Sequence, residues 1–212
     1  MTASAAVASI LAALLIGAMS PGPSFVLVAR NSIGLSRADG LATALAMGVG
    51  GVFFSGIALA GLYTLLSAVE WLYVTLKIAG GLYLVYIASK IWRGASSRLM
   101  VAEGEMAQDG DVRKSFWTGL STQLSNPKTA IAYGSIFAAL LPQHPPLWCY
   151  FALPPLVFSI EAGWYTVVAL SFSSRRPREV YLRMKKWIDR VAATAIGALG
   201  LRLIFTAHKV GI

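Results

Sequence analysis

The chain has 212 residues, 57% of them hydrophobic and only 13% charged, with a net charge of +9. A soluble domain covers its surface with about a quarter charged residues, so an ordinary water-soluble fold is excluded and lipid is the expected solvent. The basic excess falls in stretches flanking long apolar runs, which argues for membrane orientation and against a nucleic-acid partner.

Six apolar stretches are long enough to cross about 30 Å of hydrocarbon at roughly 1.5 Å per residue. They cover residues 5–29, 41–67, 70–91, 115–141, 147–172 and 188–207. The first loosely resembles a signal peptide around Ala18-Met19-Ser20. No basic residue precedes it, however, and its apolar character continues through Ser24–Ala29, so it is expected to stay as a span. Arg202 interrupts the last stretch. Residues 94–114 are rich in Ser, Gly, Glu, Asp and Arg and read as a flexible loop. The expected fold class is all-α: a polytopic membrane protein of six transmembrane helices. Residues 1–93 form a first three-helix repeat, 94–114 a cytoplasmic linker and 115–212 a second repeat.

Basic residues set the orientation. Arg30 and Arg37 fall between spans 1 and 2; Lys90, Arg93, Arg98, Arg113 and Lys114 in or beside the central loop; Arg175, Arg176, Arg178, Arg183, Lys185, Lys186 and Arg190 between spans 5 and 6. These are fourteen of the eighteen basic residues, all on one side. The positive-inside rule puts these loops in the cytoplasm and both termini outside. Trp71, Tyr73, Trp92, Trp117 and Trp148 lie near span ends, where aromatic rings settle at headgroup level.

Spans 1 and 4 each contain a helix-breaking cluster: Ser20-Pro21-Gly22-Pro23-Ser24 and Ser125-Asn126-Pro127-Lys128-Thr129. Proline removes a backbone donor, clashes with the preceding turn and restricts the residue before it. Freed backbone groups are costly in hydrocarbon unless protein or water satisfies them, so such breaks are expected only where they line a cavity. Three spans per half make the second half enter the membrane from the opposite side. Paired interruptions in matching spans of an inverted repeat mark a binding site. Gly80-Gly81 in span 3 and Gly197 and Gly200 in span 6 permit close helix contact, and Gly48, Gly50, Gly51, Gly56 and Gly61 suggest a packing face on span 2.

Four stretches carry a resemblance: Ser20-Pro21-Gly22-Pro23, Leu76–Tyr86, Asn126-Pro127-Lys128 with downstream Leu141-Pro142-Gln143, and Gly200-Leu201-Arg202. Together they resemble the LysE/RhtB superfamily of amino-acid exporters, which includes lysine and threonine/homoserine efflux proteins. The resemblance implies proton-linked export of amino acids from the cytoplasm across the bacterial inner membrane, with amino acid, protons and lipid as partners; no cofactor is expected, and Cys149 as the single cysteine offers no Cys-based metal site. Ser24 follows Pro-Gly-Pro where the family often has Asn, and His144-Pro145-Pro146 is unusual, which bears on the substrate more than on the class.

Glu161, in the middle of span 5, is the leading functional residue. An ionised acid there costs roughly 2.5–3.5 kcal/mol, so it must face a cavity, pair with a base or hold a proton. It could bind a substrate ammonium or couple protons; the structural alternative is pairing with Lys77 or Lys128. Lys128 follows the span 4 break, where its ammonium and the new helix's N–H groups would attract a carboxylate, with Asn126 adding a hydrogen bond. The alternative is a capping Asn126-Pro127 and a snorkelling Lys128. Ser20, Pro21, Gly22, Pro23, Ser24 and Pro127 complete the expected binding region. Lys77 and Arg202 are structural or functional charges, and Arg37 with Asp39 orders a turn or gates the cytoplasmic mouth.

An intramembrane serine protease would need a histidine at the depth of Ser121, in Gly119-Leu120-Ser121. The two histidines, His144 and His208, fall on the outer side, so an enzyme is not expected. A passive channel stays as the alternative to coupled transport. Without a second well-placed acid the substrate reads as a neutral or hydroxylated amino acid, and a homodimer is left open.

Overall fold

The computed structural model describes residues 2–68, 70–97, 110–142 and 145–207, apart from the side chains of 62–74, 76, 77 and 207. The described residues form eight helices and no strand: α1 (Ala3–Met19), α2 (Pro23–Gly34), α3 (Arg37–Ala68), α4 (Glu70–Gly94), α5 (Val112–Leu124), α6 (Pro127–Leu140), α7 (Leu147–Phe172) and α8 (Arg175–Ala207). The six expected stretches fall on these helices, with stretches 5–29 and 115–141 each divided in two.

The divisions come where proline chemistry requires them. α1 stops before Ser20-Pro21, and α2 restarts with Pro23 at its first position, where the missing N–H would have no partner anyway. α1 and α2 are bent by 58°. The second break is the same device: Pro127 opens α6, and the Asn126 side chain caps it by accepting from the Lys128 N–H at 3.1 Å.

Among the described residues, two helices alone are long and apolar enough to cross a membrane, Arg37–Gly61 of α3 and Leu147–Phe172. The bent α1–α2 pair adds a third if it counts as one span. Phe53, Ile57, Phe151, Val167, Leu201 and Phe205 are exposed, as lipid-facing residues are. Pro154 and Pro155 sit within α7 without ending it.

One expected loop is helix. Only Ser173 and Ser174 separate α7 from α8, and the seven basic residues from Arg175 to Arg190 lie on α8 itself. Arg, Lys, Met and Leu are strong helix formers, and Pro177 falls in the first turn, where proline is tolerated. Likewise Arg30 lies in α2, and Lys90 and Arg93 in α4. Arg37 is exposed at the start of α3. Asp39 in that first turn is 1% exposed; the Asp39 N–H donates to Ser36 Oγ at 3.1 Å, and Ser115 Oγ of α5 donates to Asp39 Oδ1 at 2.7 Å. This pair orders the turn and ties α3 to α5.

α3 packs on α7 and α5, and α4 on α8 and α6, with α1 and α2 against α6, α7 and α3. Glycines set the closest approaches. A methyl on Gly81 would come 2.8 Å from the Gly200 carbonyl, and one on Gly200 would come 2.7 Å from the Gly81 carbonyl. Gly48 and Gly51 face α7 and Gly50 faces Gln123, as expected of a packing face; Gly56 and Gly61 have nothing within 4 Å among the described residues.

Candidate functional site: two breaks between two cavities

The two breaks meet. Lys128 Nζ donates to the Ser20 carbonyl across 3.2 Å, satisfying an acceptor that the end of α1 leaves without an intrahelical partner. Gly22 leaves the space beside it open: a methyl there would touch Lys128 Nζ at 3.4 Å. Trp164 Nε1 on α7 donates to the Ala18 carbonyl at 3.1 Å, satisfying another.

A side-chain chain locks the breaks together. Ser24 Oγ donates to Gln123 Oε1 at 2.6 Å, and Asn126 Nδ2 donates to Ser24 Oγ at 3.1 Å. All three residues are buried. Both functions of the Asn126 amide are thus spent, one on its helix and one on Ser24. No side chain caps α2, in contrast.

Two cavities lie against this junction and share Ser20, Gly22, Asn126 and Lys128 in their walls. The narrower, about 280 Å³, is lined by α1, α4, α6, α7 and α8 and also holds Ser24, Gln123, Tyr133, Glu161, Tyr165 and Arg202. The wider, about 660 Å³, holds Pro21, Pro23, Pro127, Lys90, Lys185 and Asp189. Of the expected site residues, Ser20, Gly22, Ser24, Asn126, Lys128 and Glu161 come together at the narrower cavity. The three prolines line only the wider one.

Glu161 is 4% exposed. Tyr133 donates to its Oε1 at 3.0 Å, while Oε2 is buried with no hydrogen-bond partner among the described residues. The structural alternative of an ion pair with Lys128 is not seen; the partner is the Tyr133 phenol. Arg202 reaches the cavity wall from α8 with its side chain exposed. Arg37 lines neither cavity. The side chain of Lys77, like Gln143, His144 and His208, lies outside the described residues. Ser121 is exposed on α5 and lines neither cavity.

Sequence reasoning missed Gln123, Tyr133, Tyr165 and Asp189. Gln123 had a readable signal, an amide in an apolar stretch two residues before a break, and such intramembrane polar groups face protein interiors. The tyrosines had none, because tyrosine is as common at packing and interfacial positions.

The family model for the LysE type translocator matches residues 15–207. The chain belongs to the LysE type translocator family. The threonine efflux proteins of Salmonella typhi and Escherichia coli K12 are each 32% identical to it over 196 residues, covering 91% of this chain and 94% of theirs. An uncharacterized membrane protein of Escherichia coli K12, YahN, is 30% identical over 187 residues, covering 88% and 83%. No solved structure matches. The chain is therefore a membrane translocator and not an enzyme.

Proposed function

We propose that this protein exports a neutral or hydroxylated amino acid, threonine being the first to test, across the inner membrane in exchange for protons. In this reading six crossings form two inverted halves, 1–93 and 115–212, with both termini outside and loops 1–2, 3–4 and 5–6 in the cytoplasm. Equivalent helices of the two halves pack on each other, α3 on α7 and α4 on α8, and the contact of α1 with α7 has its counterpart in α5 with α3. This pairing supports an inverted repeat. The threonine efflux relatives support the substrate class.

The observation that carries the reading is the junction itself. One ammonium, Lys128, bridges the two broken helices at a wall common to both cavities, and a half-partnered buried acid, Glu161, faces one of them. A zwitterion fits between these charges: its carboxylate on Lys128 and the uncapped N-terminus of α2, its ammonium on Glu161 Oε2. Glu161 cannot bind an ammonium and a proton at once. Protonation from the outer side would then discharge the substrate, and loss of the proton would reset the site, which is coupling by competition for one carboxylate.

Everted membrane vesicles supplied with labelled threonine test this. An acid-inside gradient should drive accumulation, and Glu161→Gln should abolish it while the protein stays folded. Gradient-independent equilibration would establish the passive channel instead, and undiminished accumulation by the Gln variant would remove Glu161 from coupling.

A further inference from the structure

The wider cavity holds an acid that the export reading leaves unused. Among its described lining residues Asp189 is the one carboxylate, set among the three ammonium groups of Lys90, Lys128 and Lys185. Asp189 is 3% exposed. Its Oδ2 accepts from Lys185 Nζ at 2.7 Å, and its Oδ1 is buried with no hydrogen-bond partner among the described residues. A carboxylate accepts at both oxygens, and leaving one unmet in a buried site is costly. Oδ1 therefore remains able to accept a further donor.

Lys185 is explained without any ligand. It also donates to the carbonyl of Gly94, the last residue of α4, at 3.2 Å. Carbonyls at a helix C-terminus lack intrahelical partners and favour a cation there. Lys185 is thus a clasp between α8 and α4, and Asp189 retains acceptor capacity beyond that clasp. Lys128 is in the converse state: an ammonium has three donors, and the Ser20 carbonyl takes one.

We propose that Asp189 and Lys128 form a loading site in the wider cavity for an α-amino acid zwitterion, ahead of Glu161. Asp189 receives the ammonium and Lys128 the carboxylate. Lys128 belongs to both cavities, so the substrate keeps one partner while its ammonium passes from Asp189 to Glu161. The site rests on the export reading and deepens it, because it assigns the acid that meets substrate on the cytoplasmic side.

The test is the KM for threonine at the exposed cytoplasmic face of everted vesicles, in wild type, Asp189→Asn, Asp189→Glu and the double variant Lys185→Met/Asp189→Asn. The double variant removes both charges of the clasp, so it leaves no unpaired buried ion to unfold the protein. A loading role raises KM about tenfold or more in Asp189→Asn and equally in the double variant, the loss of a charge-assisted hydrogen bond, while Asp189→Glu restores much of the affinity. If Asp189 only neutralises Lys185, the double variant returns to within about twofold of wild type, and that result overturns the loading site alone. Wild-type vesicles that accumulate no threonine, serine or homoserine would instead sink the export reading, and this site with it.

Discussion

Gly51 on α3 is where the smallest perturbation should do the most to transport. A methyl group there would lie 2.9 Å from the Tyr133 hydroxyl, 3.1 Å from Glu161 Cγ and 3.1 Å from Val157 Cγ1. Each distance is roughly half an ångström short of ordinary heavy-atom contact. The three neighbours belong to α6 and α7, which the rest of the bundle holds, so no single flexible end can absorb the insertion. Overpacking of this kind costs about 1–3 kcal/mol, and an alanine in place of a helical glycine returns up to about 1 kcal/mol. Stability should therefore fall, through the overpacking and through the buried hydrogen bond lost with it. The Tyr133–Glu161 hydrogen bond, 3.0 Å long, takes the full displacement. A hydrogen bond to a charged group is worth about 1.5–3 kcal/mol, so its loss should lower transport about tenfold or more. Gly56→Ala is the control on the same helix, because no described residue lies within 4 Å of a methyl at Gly56. Thermal unfolding in detergent and threonine uptake should be measured for both. If Gly51→Ala matches Gly56→Ala in stability and in transport, the packing around Glu161 is not what this reasoning requires.

Two further outcomes follow from the same geometry. Gly200→Ala would drive a methyl into the backbone of α4, which yields less readily than a side chain, so a loss of about 1–3 kcal/mol in thermal unfolding is expected, and wild-type stability would refute the close α4–α8 contact. Asn126→Ala removes the cap of α6 and the partner of Ser24, costing about 0.5–2 kcal/mol for the cap, with the KM of the protein that remains folded near wild type; a raised KM at unchanged stability would make Asn126 a ligand.

The breaks were legible in the sequence because proline acts locally: it lacks a donor wherever the chain takes it. Glu161 was legible for a related reason, as a lone acid in an apolar run has few places to go. The tight contact of Gly81 with Gly200 could be expected from small residues in two spans. Other features depend on tertiary direction, which one helix does not encode. Gly51 and Gly56 look alike in the sequence, yet one abuts Glu161 and the other has no described residue near it. Asp189 was hidden by its surroundings. It stands among Arg183, Lys185, Lys186 and Arg190, and a basic stretch reads as a solvated loop until the helix places one face of it against α4.

Although the sequence presents the two breaks as equivalent, the structure gives them different duties. At the second, Asn126 caps α6 with one end of its amide and holds Ser24 with the other, so the break is closed by its own side chains. At the first, Gly22 supplies no cap to α2, and Pro23 removes one of the N–H groups that would need one. The positive end of α2 is left for something else, and the nearest charge to Gly22 is the Lys128 ammonium. Two positive elements beside each other are unfavourable unless an anion comes between them. The bond from Lys128 to the Ser20 carbonyl relieves this only in part, since it is the one hydrogen bond the ammonium makes among the described residues. In the proposed reading Asn126 is scaffold, and the open end of α2 beside Lys128 is the site. On that reading an amino-acid carboxylate is the anion that completes it, at the wall the two cavities share.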